Sequence, residues 1–168
     1  AHNLDHAAAR VLHRVLRRRQ PVNDELVHLF LVLGRNPVVW IEGMALVALG
    51  HLAGDLDRHV RDVKPDLVFH LAAQPLVRRS YRQPAETFSS NVQGTANILE
   101  AVRELEYVTG VIAVTSDKCY LNDNMGRQFY ETDPLGGHDP YSASKASSDH
   151  LVRAWRRTYG LPTLVTNC

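Results

Sequence analysis

Short apolar runs alternate with segments of helical periodicity along most of this chain. The runs at residues 67–71, 108–114 and 161–166 are mainly apolar. A continuous run of this length is typical of a strand that is buried on both faces of a parallel sheet. The pattern therefore predicts three buried strands with helical segments between them.

Two helices are predicted between these strands. The first begins at Pro84, because proline favours a first helical turn, and runs to about Glu104. The second begins near Tyr141. Residues 121–138 are rich in Asn, Asp and Gly, so we expect a loop there that acts as a lid. This alternation predicts an α/β fold with a doubly wound parallel sheet.

The first fifty residues do not continue this pattern. The best strand candidate there is Leu29–Leu33, which is followed by Gly34 but by no second glycine at short spacing. A dinucleotide-binding strand is normally followed by several glycines, which let backbone N–H groups approach the pyrophosphate. We find no such loop in the sequence and interpret residues 1–50 as a foreign, altered or mis-joined segment.

The same region does not predict a membrane partner. Residues 1–19 are rich in arginine, a composition shared by a targeting presequence and by a plain helix with a solvated basic face. Residues 26–49 are apolar but are interrupted by Pro37 and by charged side chains. A spanning helix needs about 20 predominantly apolar residues, so none is predicted.

The composition is that of an ordinary globular protein of one-domain size. The chain has 168 residues, a formal net charge of +1 and 45% hydrophobic residues, which favours neither nucleic acid nor an anionic membrane as a partner. Cys119 and Cys168 form no disulfide framework, so we expect a cytoplasmic location and a buried, inert Cys119. The nine histidines show no ligand spacing, and no metal is expected.

Tyr141 and Lys145 are the strongest candidates for chemistry. Residues four apart on a helix share one face, with Cβ atoms about 5–6 Å apart. An ammonium group at this range favours the phenolate, so we expect a lowered pKa for Tyr141 and a role as general base toward an alcohol. Lys145 is one of three lysines against sixteen arginines, and lysine, unlike arginine, can act as a base.

A second set of candidates follows the second apolar run. Thr115 and Ser116 lie at the carboxyl end of that predicted strand, where open parallel sheets bind ligands. We expect the Ser116 hydroxyl to orient the alcohol that Tyr141 deprotonates. Asp117 and Lys118 add an acid and a base that a simple redox step does not need.

Three strings of the sequence carry a resemblance to a known family. They are residues 70–81 (HLAAQPLVRRSY), 114–120 (VTSDKCY) and 133–145 (DPLGGHDPYSASK). They resemble the extended short-chain dehydrogenase/reductase family and, within it, the CDP-glucose 4,6-dehydratases. The resemblance implies that residues 51–168 form a partial NAD-binding Rossmann fold. Neither its N-terminal glycine-rich βα unit nor its C-terminal substrate domain is recognisable.

The resemblance also implies a reaction on a nucleotide sugar. Bound NAD transiently oxidises C4, water is lost from C5 and C6, and a 4-keto-6-deoxy sugar results. Ser116 and Tyr141 would act at O4, Lys118 would take the C5 proton, and Asp117 would protonate the departing hydroxyl. Cofactor contacts are implied for Leu71, Ala72, Ala73, Thr115, Tyr141, Lys145 and Asp55, and substrate contacts for Gln74, Ser116 and Asn91.

Two of these residues have further implied roles. Asn91 would steady the backbone of the active site, and it needs hydrogen-bond partners if it is buried. Asp55 begins an Asp-Leu-Asp string after Gly54 that resembles a family motif near the adenine. Only nine residues separate Asp55 from Pro65, which we expect to be too few for the usual helix and both its connections.

Two other interpretations remain open. The first is an NAD-dependent nucleotide-sugar epimerase or reductase, which would not need Asp117 and Lys118 because no C6 hydroxyl leaves. The second is a non-catalytic fragment that acts only through helix–helix association. The family commonly dimerises through helices that correspond to residues 84–104 and 141–159, so a homodimer is also implied.

Overall fold

A mixed five-stranded sheet forms the framework of the protein. The computed structural model describes residues 29–33, 39–42, 53–122 and 126–167. The strands lie in the order β2-β1-β3-β4-β5 across the sheet. Their bounds are Leu29–Leu33 (β1), Val39–Glu42 (β2), Leu67–His70 (β3), Gly110–Thr115 (β4) and Thr163–Asn167 (β5).

Strands β3, β4 and β5 are parallel, as the apolar runs predicted. Val68 lies opposite Val111, which in turn lies opposite Thr163. Both crossovers move in the same direction across the sheet, so the right-handed rule for such connections places their helices on one face. The helices are α1 (Ala53–Val63), α2 (Val77–Arg82), α3 (Pro84–Phe88), α4 (Gly94–Val102) and α5 (Pro140–Tyr159).

The other edge of the sheet is antiparallel. Strand β1 pairs in antiparallel fashion with both β2 and β3, and Phe30 lies opposite His70. The strand predicted at Leu29–Leu33 is therefore confirmed. The strand that carries a phosphate loop in a dinucleotide-binding fold runs parallel to its neighbours, so β1 differs from that strand in direction.

Helix α1 corrects the expectation that the chain is too short for a helix before β3. The helix begins at Ala53, so Asp55 lies in its first turn rather than before it. Lys64 has a left-handed backbone with φ of 49°, and its N–H bonds to the carbonyl of Val60 at 3.0 Å. This turn redirects the chain so sharply that only three residues join α1 to β3.

The predicted helix from Pro84 is present but is not uniform. Residues Ser89–Gln93 form a π-helical turn between α3 and α4. The carbonyl of Asn91 accepts hydrogen bonds from the hydroxyls of Thr95, at 2.6 Å, and Ser148, at 2.9 Å. Side chains that insert into the helical ladder in this way are a usual cause of such a turn.

The main core lies between the sheet and helices α1, α4 and α5. Burial of each apolar side chain in this core stabilises the fold by roughly 1.5–3 kcal/mol. A smaller cluster of Cys119, Tyr120 and Ala146 lies under the loop after β4. The main core includes Val60, Val68, Ile98, Leu99, Val102, Val111 and Val152.

Candidate active site

Ser116 begins a tight turn directly after β4. Its backbone is extended, and its Oγ accepts a hydrogen bond from the N–H of Lys118 at 3.3 Å. The hydroxyl also donates to Oδ1 of Asp117 at 3.1 Å. Residues Asp117–Cys119 then form one turn of 3-10 helix. This capping holds Ser116 at the carboxyl end of the strand, where the sequence predicted it.

Helix α5 supplies the second half of the site. Asp139 caps it, because Oδ1 accepts from the N–H of Ser142 at 3.0 Å and Oδ2 accepts from the Ser142 hydroxyl at 2.6 Å. Pro140 occupies the first turn, where its missing N–H costs nothing. Tyr141 and Lys145 follow on the buried face and are 7% and 6% exposed. They share one face of the helix, as their spacing predicted.

The two halves meet at the phenol of Tyr141. Burial raises the pKa of this phenol, a hydrogen bond with Ser116 lowers it, and the carboxylates of Asp117 and Asp139 raise it further. The net direction is upward, so the predicted lowering of the Tyr141 pKa is wrong for the protein as it stands. The reason is that removing a phenolate from water costs more than the Ser116 hydrogen bond returns.

Lys145 reaches from α5 toward the sheet. Its Nζ lies 3.4 Å from the carbonyl oxygen of Val114, near the end of β4. A buried ammonium group needs polar partners because desolvation of the charge is expensive. The backbone of β4 therefore contributes to holding Lys145 beside the residues that follow the strand.

Asp117 and Lys118 are exposed, unlike the groups around them. Lys118 is close enough to Asp139 to favour its carboxylate. Burial alone would raise the Asp139 pKa, but hydrogen bonds from Ser142 and Tyr141 together with the Lys118 charge lower it below its ordinary value. An acid and an ammonium group thus border the Ser116–Tyr141 pair on its open side.

Asn91 links the end of β3 to α5 through three buried hydrogen bonds. Its Oδ1 accepts from the N–H of Gln74 at 2.7 Å, and its Nδ2 donates to the carbonyl of Gln74 at 3.2 Å. The same Nδ2 donates to Oγ of Ser144 at 2.8 Å. This arrangement fits the predicted support of the backbone, and the side chain is 2% exposed.

The structure does not support the predicted contact between Gln74 and a sugar. The side chain of Gln74 is 0% exposed. Its Nε2 donates to the carbonyl of Leu76 and to Oγ1 of Thr87, and its Oε1 accepts from the N–H of Leu76 at 2.6 Å. Because these bonds occupy the amide, Gln74 shapes the loop after β3 instead of facing a ligand.

The residues implied for the cofactor lie at two neighbouring strand ends. Leu71, Ala72 and Ala73 directly follow β3, and both alanines are buried. Thr115 ends β4, and its hydroxyl donates to Oδ1 of Asn167. Small side chains at a strand end let a planar ring approach the backbone. These positions, with Tyr141 and Lys145 beside them, fit the nicotinamide and ribose half of NAD.

Fewer residues are available for the adenine and pyrophosphate half of NAD. Asp55 lies in α1, but its side chain falls outside the described residues. The sequence holds no glycine-rich phosphate loop.

Among the described residues, no group of three His, Cys, Asp or Glu side chains is placed to hold a metal ion.

Sequence reasoning missed three positions that shape the site. Asp139 was recognisable, since Asp before Pro at a helix start is a common cap. Gly137 packs so closely on α5 that an added Cβ would lie 2.3 Å from the backbone nitrogen of Ala143. Asn167 contacts Thr115 and Tyr120 from the neighbouring strand, and no local pattern indicates either of these last two roles.

The fold and the site together define a class of protein. A Rossmann-type sheet with a serine after one strand, and a tyrosine and lysine four apart on the next helix, is the arrangement of the extended short-chain dehydrogenases/reductases. A family model for GDP-mannose 4,6 dehydratase matches residues 51–168. The chain belongs to this family.

Curated relatives agree with the family but differ in nucleotide. CDP-glucose 4,6-dehydratase of Salmonella typhimurium is 45% identical over 107 residues, which cover 64% of this chain and 30% of the relative. dTDP-glucose 4,6-dehydratase of Neisseria meningitidis is 47% identical over 124 residues, which cover 68% and 35%. This chain therefore spans about a third of the length of the curated relatives it matches.

Solved structures show the same fold. A double mutant of DesIV, a dTDP-glucose 4,6-dehydratase from Streptomyces venezuelae with NAD and DAU bound, matches with a TM-score of 0.64 and 37% identity over 69% of this chain and 35% of that chain. UDP-glucose 4-epimerase from Thermotoga maritima, solved with UDP-glucose, matches with a TM-score of 0.62 and 27% identity over 68% and 37%. The described region is thus a partial Rossmann fold.

Proposed function

We propose that this chain carries the catalytic residues of an NAD-dependent nucleotide-sugar 4,6-dehydratase that converts CDP-glucose to CDP-4-keto-6-deoxyglucose. The observation that carries the proposal is the placement of Tyr141 and Lys145, both buried on one face of α5, against the end of β4, where Lys145 Nζ lies 3.4 Å from the carbonyl oxygen of Val114. The exposed pair Asp117 and Lys118 follows Ser116 at the end of the same strand. One arrangement thus offers groups for oxidation and for elimination.

Oxidation at C4 uses the buried half of the site. Tyr141 removes the proton from O4, and the Ser116 hydroxyl holds O4 in line by a hydrogen bond. NAD, when bound, would supply a hydride acceptor for C4, a hydride donor for C6 and a positive charge that would favour the Tyr141 phenolate. Lys145 contributes a further positive charge and a donor for the ribose. Leu71, Ala72, Ala73 and Thr115 are the residues that would hold the cofactor.

Elimination uses the exposed half. The 4-keto group acidifies the C5 proton, which Lys118 removes. Asp117 gives its proton to the departing C6 hydroxyl, so one water leaves and a C5–C6 double bond forms. Lys118 then returns its proton to C5, and with the hydride that bound NAD would supply at C6 the 4-keto-6-deoxy sugar is complete. Lys118 must be neutral to accept a proton, and related dehydratases have Glu at this position.

Replacing Lys118 tests its assigned step. Lys118→Ala is expected to stop water loss while C4 oxidation remains detectable as a transient rise in reduced nicotinamide. Lys64→Ala is the matched control, because Lys64 is also exposed but lies before β3. Normal water loss in the Lys118 variant would remove Lys118 from the mechanism.

Binding of NAD is the first experiment for the proposed function. Calorimetric titration of the 168-residue chain is expected to give saturable binding that Lys145→Ala weakens. CDP-glucose is then added and the loss of one water is followed by mass spectrometry. Tyr141→Phe should abolish turnover, whereas Tyr159→Phe, on the exposed end of the same helix, should not. Absence of both binding and turnover would contradict catalysis by this chain.

The choice of CDP-glucose rests on the sequence resemblance and on one of the two relatives described above. Parallel assays with CDP-glucose and dTDP-glucose decide it, and a higher kcat/KM for dTDP-glucose would replace the proposed substrate. A product of unchanged mass would favour an epimerase instead, the activity named for the Thermotoga maritima structure.

We also propose a cytoplasmic homodimer that forms through residues 84–104 and 141–159. Phe88 and Tyr159 support this, because they are 38% and 52% exposed on the helices concerned. Among the helices that the structure describes, none is long and apolar enough to cross a membrane. Sedimentation of the wild type and of Phe88→Asp tests the dimer. The wild type is expected to have the mass of two chains and the variant the mass of one, and equal masses for the two proteins would contradict the proposal.

A further inference from the structure

Asn167 joins two residues that flank the catalytic turn. Its Oδ1 accepts a hydrogen bond from the hydroxyl of Thr115, and its Nδ2 donates to the hydroxyl of Tyr120 at 2.7 Å. Thr115 directly precedes Ser116, and Tyr120 directly follows the 3-10 turn. One side chain on β5 therefore holds both ends of the segment that carries Ser116, Asp117 and Lys118.

Tyr120 is also the point at which the following loop is attached. The N–H of Leu121 donates to the carbonyl of Pro134, and the N–H of Gly136 donates to the carbonyl of Cys119, both at 2.8 Å. The ring of Tyr120 stacks on Phe129 with centroids 5.2 Å apart. This loop leads directly to Asp139 and α5, so displacement of Tyr120 would reach both halves of the site.

The contacts of Asn167 are partly buried and involve groups that need partners. Thr115 and Tyr120 are 7% and 6% exposed. A hydroxyl that loses its partner in such a position is costly, because it is removed from water without a replacement bond. The segment would have to shift to rehydrate these hydroxyls, and the shift would move Ser116 and Lys118 with it.

We propose that Asn167 is a positioning residue for the dehydratase reaction, acting through Thr115 and Tyr120 to hold the acid and base turn against α5. The inference rests on the proposed function for its catalytic consequence. Its structural part concerns the described residues alone and has a separate readout.

Hydrogen exchange of the 168-residue chain tests the structural part. Asn167→Leu removes both hydrogen bonds at similar volume, and Tyr120→Phe removes one hydroxyl while it keeps the ring stacking. Both variants are expected to speed exchange about three- to tenfold at the amides of Lys118, Cys119, Leu121 and Gly136. Amides of α4 should not change. Asn97→Leu is the control, because Asn97 bonds only to the exposed Gln93 among the contacts described.

A conservative variant separates positioning from general stability. Asn167→Asp keeps an acceptor for Thr115 and offers a second oxygen to the Tyr120 hydroxyl, so slow exchange should return at neutral pH. Exchange should stay slow when acid protonates the new carboxyl, because the neutral acid offers one acceptor and one donor, as Asn does. Unchanged exchange in Asn167→Leu and Tyr120→Phe would overturn the proposal. Faster exchange confined to Leu121 and Gly136 would also overturn it, because the catalytic turn would then be held by other contacts.

The catalytic part uses the same variants with NAD and CDP-glucose. Asn167→Leu is expected to lower the rate of water loss about tenfold and the rate of C4 oxidation less. An unchanged rate of water loss would overturn the assignment to the turn. If the wild type itself shows no turnover, the proposed function fails while the exchange result still decides whether Asn167 holds the turn.

Discussion

The two halves of the candidate site are built in opposite ways. Tyr141 and Lys145 are buried on a helix of 20 residues, and Asn91 and Ser148 tie that helix to the neighbouring π turn. Asp117, by contrast, lies in a three-residue turn with an exposed side chain. Many buried contacts thus hold the catalytic candidates on the helix in place, whereas a few peripheral contacts hold those at the strand end.

This difference matches the chemistry proposed for each half. A general base that acts on one oxygen must be held within hydrogen-bonding distance, and a rigid helix provides that precision. Groups that exchange protons with C5 and with a leaving hydroxyl need access to substrate and water. The exposed turn provides that access, and the attached loop limits its movement.

Gly137→Ala should break the junction between the two halves and give the largest effect. An added Cβ would lie 2.3 Å from the nitrogen of Ala143 and 2.3 Å from the carbonyl carbon of Ser142. Backbone atoms in a capped helix cannot yield cheaply, so we expect a loss of about 3 kcal/mol of unfolding free energy. Urea denaturation measures it.

Gly136→Ala is the matched control for that experiment. Its added Cβ would meet only the side chain of Leu121 at 3.4 Å, so we expect a loss below about 1 kcal/mol. Equal losses in the two variants would show that close packing on α5 is not the reason for glycine at position 137.

Asn91→Leu should disorganise the helix half alone. It leaves the N–H of Gln74 and the hydroxyl of Ser144 with one partner fewer in a buried region, at a cost of about 2 kcal/mol. Asn97→Leu, on the same helical segment, should cost less than about 0.5 kcal/mol because its partner is exposed. A cost for Asn91→Leu as small as that of the control would contradict the linking role.

Asp139→Asn should change how the free energy of unfolding depends on pH, and so measure the contribution of the charged cap on the helix half of the site. The folded pKa of Asp139 lies below its ordinary value of 3.8, so its carboxylate adds stability above that pH and loses it as the pH falls through the folded pKa. Asn still caps the helix but lacks the charge, so we expect a deficit of roughly 0.5–1 kcal/mol at pH 7.

The deficit should shrink as the pH falls below 3.8 and through the lower folded pKa of Asp139, where the wild-type carboxyl also becomes neutral. Denaturation of both proteins across this range checks the sign. Asp66→Asn, which alters an exposed carboxylate outside the site, serves as the comparison. A deficit that is constant with pH would assign the effect to cap geometry rather than charge.

Alkylation of Cys119 tests the inner side of the turn. Burial, the largest influence, raises the pKa of this thiol to about 11, and only the thiolate reacts with alkylating agents. In a Cys168→Ser background we expect alkylation at mildly alkaline pH to be at least about a hundredfold slower in the native protein than in denaturant. Comparable rates would show that the turn opens to solvent readily.

Much of the fold was predictable because it depends on local patterns. Apolar runs indicated β3, β4 and β5, and Pro84 and Pro140 fall at helix starts because of proline's own geometry. The four-residue spacing of Tyr141 and Lys145 placed them on one face before any tertiary contact was known. These features involve residues within about one or two turns of each other.

Other features depend on residues far apart in the chain. Three such features were not predictable, because each depends on which segments pack together. They are the antiparallel direction of β1, the hydrogen bond from the Gln74 amide to Thr87 and the raised pKa of Tyr141.

The sequence by itself determined the three parallel strands, the helices that begin near Pro84 and Tyr141, the residue types at the site and the family. Only the tertiary structure decided how tightly each group is held and in which environment. Asn91 meets Ser144 across 53 positions, and Thr115 meets Asn167 across 52. Contacts at such separations arise only when the sheet and helices assemble, because burial and hydrogen bonding there are properties of the packed whole.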